Sequence, residues 1–256
     1  MAHRRFLLLQ MGRAQEVSMA LKETFGEVSD WFRAGLRLQP GESVEAVVVS
    51  EGERLPSARD VAATYCGVLI SGSVKMVTDR LPWSENAAVL LRDLVAQDTC
   101  PVLGVCYGHQ LLAHALGGTV DYNVLGRSLG TFEVQLTKAA AHDVLFGAFA
   151  GRTLRLHASH MQHVVTAPSG SMVLATNGRD PNHALKFAPR VWGFQFHPEF
   201  SRGILSAHIS ARRAVLVAEG KDPDAMLANT LDSPDGGELL ARFAALCRGN
   251  ASLSKL

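Results

Sequence analysis

The chain has 256 residues, 47% of them hydrophobic, and its 25 Lys and Arg nearly balance its 24 Asp and Glu. That length and apolar content suffice for a substantial core, and a single domain over residues 1–256 is expected. The charges are interspersed, so there is no basic patch to draw nucleic acid and no polybasic stretch for a membrane surface; small neutral or zwitterionic molecules are the expected partners.

The amino end, MAHRRFLLLQMGRA, sets basic residues ahead of an apolar run. Residues 6–9 are too few for a signal peptide, and Gln10 and Arg13 interrupt the run, so residues 5–11 read as a first buried strand. No apolar run approaches the ~20 residues that cross a bilayer. Gly12 opens a loop into a helical pattern of Val17, Ala20, Leu21 and Phe25. Residues 44–49 form a second strand and 67–70 a third, apolar without alternation, as in a parallel strand covered on both faces. Strands alternating with helices indicate an α/β architecture. The third strand ends in Ser71-Gly72-Ser73, where a glycine turn can aim a backbone N–H at a ligand beyond the carboxyl end. By itself Gly72 is equally a plain loop glycine. A helix over residues 85–96 follows, with Ser84 as N-cap and Ala87, Leu90, Leu91 and Leu94 inward. Trp83 reads as a packing residue.

Residues 101–118, PVLGVCYGHQLLAHALGG, join a buried strand to a helix over 107–116 that Gly117 and Gly118 stop. Between them, Gly104-Val105-Cys106-Tyr107-Gly108 has the nucleophile-elbow pattern with cysteine in place of serine. The first turn of the helix favours negative charge on Cys106, and the N–H of Tyr107 is placed to donate to an oxyanion. Alone, the pattern also suits a small buried cysteine. The other cysteines, Cys66, Cys100 and Cys247, lie in apolar patterns that predict burial. Among the four there is no CxxC pair or dense framework, so neither a zinc site nor disulfides are expected, and the compartment should be reducing.

Beyond the helix, residues 131–137, 153–157, 172–176 and 184–187 alternate like strands with one exposed face, so the sheet should turn antiparallel. Residues 191–200, VWGFQFHPEF, are an apolar strand ending in a histidine and a carboxylate. Spaced two apart, His197 and Glu199 share a side of an extended segment, which lets the carboxylate orient the imidazole. His3, His142, His163, His183 and His208 read as surface or packing residues. Residues 201–219, 223–230 and 237–247 look helical and carry no apparent chemistry; they should cover an edge or face of the sheet.

Cys106 within GVCYGHQ, the SGS turn and the HPE ending together resemble the class I glutamine amidotransferases. GRSLGTFEVQLT (126–137), SHMQHV (159–164) and VWGFQFHPEF extend the likeness to the stand-alone GMP-synthase-like group, which includes plant γ-glutamyl peptidases. The resemblance implies a flavodoxin-like three-layer sandwich with a mostly parallel central sheet, an antiparallel extension and a helical tail over about 201–256. It implies a Cys106-His197-Glu199 triad cleaving a γ-glutamyl amide through a thioester, with Gly72, Ser73 and Tyr107 as the oxyanion hole. Gln110 is similar to a substrate-binding glutamine, and His160 matches a recurrent histidine expected near the pocket mouth. Ser73 and Val74 stand where many members have Gly-Pro, Ser128 where an acidic residue is commoner, and Gln162 where Asp is usual. No cofactor or metal is implied, and the location is expected to be cytoplasmic. No ATP-pyrophosphatase segment follows and no GxxxxGK[ST] loop is present, so the chain should not activate a substrate with ATP; an ammonia-accepting synthetase is the expected partner. The competing expectation, prompted by the altered SGSV turn, is a binding module that keeps the fold without turnover.

Overall fold

The computed structural model describes residues 4–249. The amino-terminal strand β1 (Arg4–Gln10) enters a short 3-10 turn and then α1 (Met19–Phe25), capped by the Ser18 hydroxyl. A second helix that the sequence pattern does not announce comes after it, α2 (Val28–Gly35), closed at its start by a capping box of Glu27 and Asp30. Strand β2 (Glu42–Val48), α3 (Ala58–Thr64) and the four-residue β3 (Gly67–Ile70) come next. Helix α4 (Pro82–Gln97) begins three residues before its expected start, with Pro82 at N1 and Leu81 as cap. Ser84 is therefore no cap; its Oγ lies 2.6 Å from the Tyr107 hydroxyl in the core. Strand β4 (Val102–Val105) and α5 (Tyr107–Ala115) flank Cys106.

The antiparallel part consists of β5 (Thr119–Tyr122), β6 (Ser128–Leu136), β7 (Thr153–His160), β8 (Gln162–Thr166), β9 (Met172–Asn177) and β10 (Asp180–Ala188), followed by β11 (Val191–Phe194). Four helices complete the described chain: α6 (Arg202–Ala211), α7 (Arg213–Ala218), α8 (Pro223–Ala228) and α9 (Pro234–Cys247).

Nine strands form one sheet in the order β2-β1-β3-β4-β11-β10-β9-β6-β7, and β5 pairs with β8 in a separate ribbon. The first five run parallel in a flavodoxin-like order, and from β11 onward every pairing is antiparallel. Successive residues of the parallel strands go to opposite layers. Phe6, Leu8, Leu69, Leu103 and Trp192 join one core and Leu7, Leu9, Val68, Val102 and Val191 the other, which is why these runs show no alternation. The tail covers the first of these layers through Leu239, Leu240 and Phe243, and Arg248 grips Glu42 with two 2.8 Å bonds. Register brings three strand ends level, because Ile70, Gly104 and Gly193 pair with one another across β3, β4 and β11. The carboxyl ends of these neighbouring strands thus open together, the position where open α/β sheets bind ligands.

Candidate active site

Cys106 leaves β4 with φ 53° and ψ −104°, a conformation L side chains rarely adopt. Two clearances allow it. A Cβ on Gly104 would lie 2.5 Å from the Gly108 carbonyl oxygen, and one on Gly108 would lie 2.4 Å from that of Ile70, so α5 can approach the sheet only with glycine at both places. The backbone N–H of Cys106 donates to Phe194 O at 2.7 Å, tying the turn to β11. Its sulfur lies 3.7 Å from the Ser159 carbonyl oxygen.

His197 follows β11 by three residues, and its backbone N–H donates to His157 O at 2.8 Å. Its Nδ1 meets Glu199 Oε1 at 2.7 Å, with both side chains almost wholly buried. Nε2 is buried and has no hydrogen-bond partner among the described residues. The ring stacks on Phe200 at 3.9 Å between centroids, which fixes its plane. Burial alone lowers the pKa of such an imidazole, but the Glu199 carboxylate first and then the Cys106 sulfur reverse the effect and hold His197 well above its ordinary range. Gly72 lies against both partners: a Cβ there would stand 3.0 Å from His197 Cε1 and 3.6 Å from Cys106 Cβ.

Ser73 lines the cavity with Cys106, Tyr107, Gln110 and His160, and together with Gly72 it also borders the adjoining hollow beside His197. Tyr107 is the first residue of α5, so its amide has no intrahelical acceptor. Its phenol points away into the core toward Ser84, and burial pushes the phenol pKa up to about 12. Gln110 Nε2 donates to Gln162 O at 2.7 Å and Gln195 Oε1 at 3.0 Å. His160 is not at a mouth: it is buried in the inner wall, with Nδ1 2.9 Å from the same Gln162 carbonyl. The Gln162 side chain is held by the Val77 amide and Thr78 Oγ1, so it braces the wall. Ser128, at the other departure from the family pattern, accepts from Arg179 Nε at 3.1 Å.

The helical tail, expected to carry no chemistry, brings His208 and Arg212 to this cavity. His208 is buried beside Ser159, and burial, then Arg212, puts its pKa well below the usual range. Arg212 donates only to His208 among the described residues, through Nδ1 and the carbonyl oxygen, each at 3.3 Å. Burial lowers its pKa to about 10, which leaves it charged at neutral pH. The spacing of four on α6 into its cap is the only sequence signal that pairs these two residues. His163 is half-buried and His183 wholly buried around Asp180, His142 is exposed, and His3 lies outside the described residues.

Residues 41–215 match the family model of the class-I glutamine amidotransferases. The GMP synthase (glutamine-hydrolyzing) of Aeropyrum pernix is 34% identical over 163 residues, which cover 62% of this chain and 27% of the relative. Gamma-glutamyl peptidase 4 of Arabidopsis thaliana is 29% identical over 185 residues, 72% of each chain. The crystal structure of a glutamine amidotransferase from Thermotoga maritima shares the fold, with TM-score 0.73 at 20% identity over 96% of this chain and 99% of that one. This chain spans between 24% and 31% of the length of the GMP synthases it is compared with. Among the described residues no helix is long and apolar enough to cross a membrane.

Proposed function

Because this chain belongs to the class-I glutamine amidotransferase family, we propose that it is a thiol hydrolase that cleaves a γ-glutamyl amide through a γ-glutamyl thioester on Cys106. The Cys106 thiol gives its proton to His197 Nε2 as the sulfur attacks the amide carbon, and the displaced electron pair rests on the carbonyl oxygen, where the Tyr107 amide and an amide of the Gly72-Ser73 turn stabilise it. His197 then delivers a proton from Nε2 to the leaving nitrogen, and ammonia or an amine departs. In the second half His197 takes a proton from water, which attacks the thioester, releases glutamate and restores the thiol. Glu199 keeps the Nδ1 proton in place and balances the charge of the imidazolium. Gln110 and His160, joined through Gln162 O, shape the wall against which the glutamyl group lies. One observation carries this reading: Cys106 sits in a strained turn across Gly72 from a histidine whose Nδ1 is fixed at 2.7 Å by a carboxylate and whose Nε2 has no nitrogen or oxygen partner among the described residues.

Arg212 favours a γ-glutamyl peptide over free glutamine, since its guanidinium faces the cavity with no carboxylate partner among the described residues and suits a carboxylate on the leaving part. With glutamine as substrate, a synthetase taking up the ammonia is the fitting partner. The four free thiols suit the cytoplasm. The test is a parallel assay of glutamine, γ-glutamyl amines and γ-glutamyl peptides, with mass spectrometry for a glutamyl adduct on Cys106. Release of neither ammonia nor amine, and no adduct, defeats the proposal. Arg212→Gln should raise KM for peptides and leave glutamine turnover unaltered; equal effects on both remove the peptide preference.

A further inference from the structure

On the far side of the Gln162 carbonyl lies a second concentration of polar groups that the thiol chemistry does not use. His160 ends β7 and is almost wholly buried. Its Nδ1 proton goes to Gln162 O, so the lone pair of Nε2 faces the interior, buried and without a hydrogen bond among the described residues. An imidazole fixed through Nδ1 on a backbone carbonyl, with Nε2 bare, is the arrangement in which histidine binds metals.

Asp180 and His183 lie close enough to complete a donor set. One ring nitrogen of His160, one of His183 and a carboxylate oxygen of Asp180 all lie within 4.8 Å of one another. His183 Nδ1 and Asp180 Oδ2 are 3.2 Å apart, close to the edge of roughly 3.4 Å expected for a tetrahedron with metal bonds of about 2.0–2.1 Å. Asp180 is 1% exposed, and its only ion-pair partners among the described residues are His163 and His183. It is thus a buried carboxylate with no Lys or Arg paired to it among the described residues. Its other oxygen is anchored by the Asn182 amide at 3.0 Å, as outer hydrogen bonds anchor a ligating carboxylate. His109, wholly buried nearby, feels the charges of Asp180 and His183.

We propose that His160, Asp180 and His183 bind a first-row divalent cation of the zinc type, which locks β7 to β10 behind the Cys106 cavity. Two imidazoles and one carboxylate are borderline ligands, which suit Zn²⁺, Co²⁺ or Ni²⁺ and discriminate against Mg²⁺ and Ca²⁺. Entry is through the cavity, whose wall His160 and Gln162 share. None of its residues is assigned a proton or bond in the thiol chemistry, and His160 is the one it shares with the cavity wall.

The test uses the full chain, stripped with a chelator, dialysed and titrated with Zn²⁺ and Co²⁺. Metal analysis after gel filtration should find about one equivalent per chain, and Co²⁺ should show visible ligand-field bands. Zn²⁺ should raise the unfolding temperature where Mg²⁺ does not. Asp180→Asn and His183→Asn should each abolish the Co²⁺ bands. Less than about a tenth of an equivalent retained by the wild type overturns the proposal without reference to any variant. Wild-type stoichiometry and bands in folded Asp180→Asn overturn it too, by placing the metal elsewhere.

Discussion

Replacing Glu199 by Gln removes one charge from the centre of the proposed triad and changes almost nothing in shape. Among the described residues the carboxylate makes a single hydrogen bond, 2.7 Å to His197 Nδ1, and its other oxygen has none. With the two charge centres about 4 Å apart, and an effective dielectric of roughly 20, the lost attraction is about 4 kcal/mol. The Gln oxygen still accepts from Nδ1, and that neutral bond returns about 1 kcal/mol. The remaining loss of about 3 kcal/mol corresponds to a fall in kcat of roughly 10²-fold. That lies below the ~10⁴-fold loss known when a triad carboxylate is replaced in serine proteases. KM should stay near the wild-type value, because Glu199 is placed behind the imidazole and away from substrate. The alkaline limb of the pH–rate profile should move to lower pH, since the carboxylate is what holds His197 protonated. Steady-state kinetics on the best γ-glutamyl substrate, with His197→Ala and the double variant beside it, checks the argument. Residues acting as a unit cannot be removed twice, so the double variant should match His197→Ala. A double variant showing the product of the two single effects, or Glu199→Gln within about threefold of wild type, would refute the coupling.

Cys106→Ser and Cys106→Ala should abolish turnover with the fold retained, whereas Cys106→Gly should be inactive yet more stable by about 1 kcal/mol, because glycine tolerates φ 53°; unfolding in denaturant measures this, and a less stable Gly variant rejects stored strain at the elbow. Iodoacetamide should label Cys106 first: burial raises the pKa of Cys66 to about 11, of Cys100 less, and of Cys247 well above the thiol range. Peptide mapping that finds faster labelling at any of those three contradicts the site's chemistry. Stability should also report His197 directly. Its folded pKa is raised to about 10 from the ordinary ~6.5, so its contribution is complete below ~6.5 and is lost as pH rises through about 10. Wild-type stability should therefore decline across that window more steeply than that of Glu199→Gln, and parallel curves would count against the ion pair.

The parts legible in the sequence are those written in consecutive residues. Strand β3, the Cys106 elbow and the HPE ending are readable because apolar runs, obligatory small residues and a two-residue spacing are local signals, and the parallel-to-antiparallel change shows in the onset of alternation at β6. Helices α2 and α3 escape because they are short. Val28–Gly35 owes its start to a Glu27–Asp30 capping box and its burial to Trp31 and Phe32 packing under the tail, which no period of eight residues announces. Ser84 misleads for a related reason: serine before an apolar period signals a cap, but Pro82 has already fixed the first turn.

Long-range polar pairing is the harder loss. Arg212 and His208 reach the cavity from a helix whose pattern records only its apolar face, and each of His109, His160, Asp180 and His183, read singly, is a residue that commonly packs. Register is what distinguishes them. The β10 hairpin sets Asp180 opposite Asn177, and β7 ends at His160. Gly193 then supplies a clearance: a Cβ there would lie 2.4 Å from His109 Nδ1, so α5 carries a buried histidine at that point only because β11 has no side chain to meet it. The same strand therefore serves two ends. Beyond its carboxyl end it places His197 across from Cys106, and at Gly193 it makes room for the polar layer behind. A larger residue at 193 should disturb His109 before it disturbs the Cys106 turn, whose amide is held one residue further on by Phe194 O.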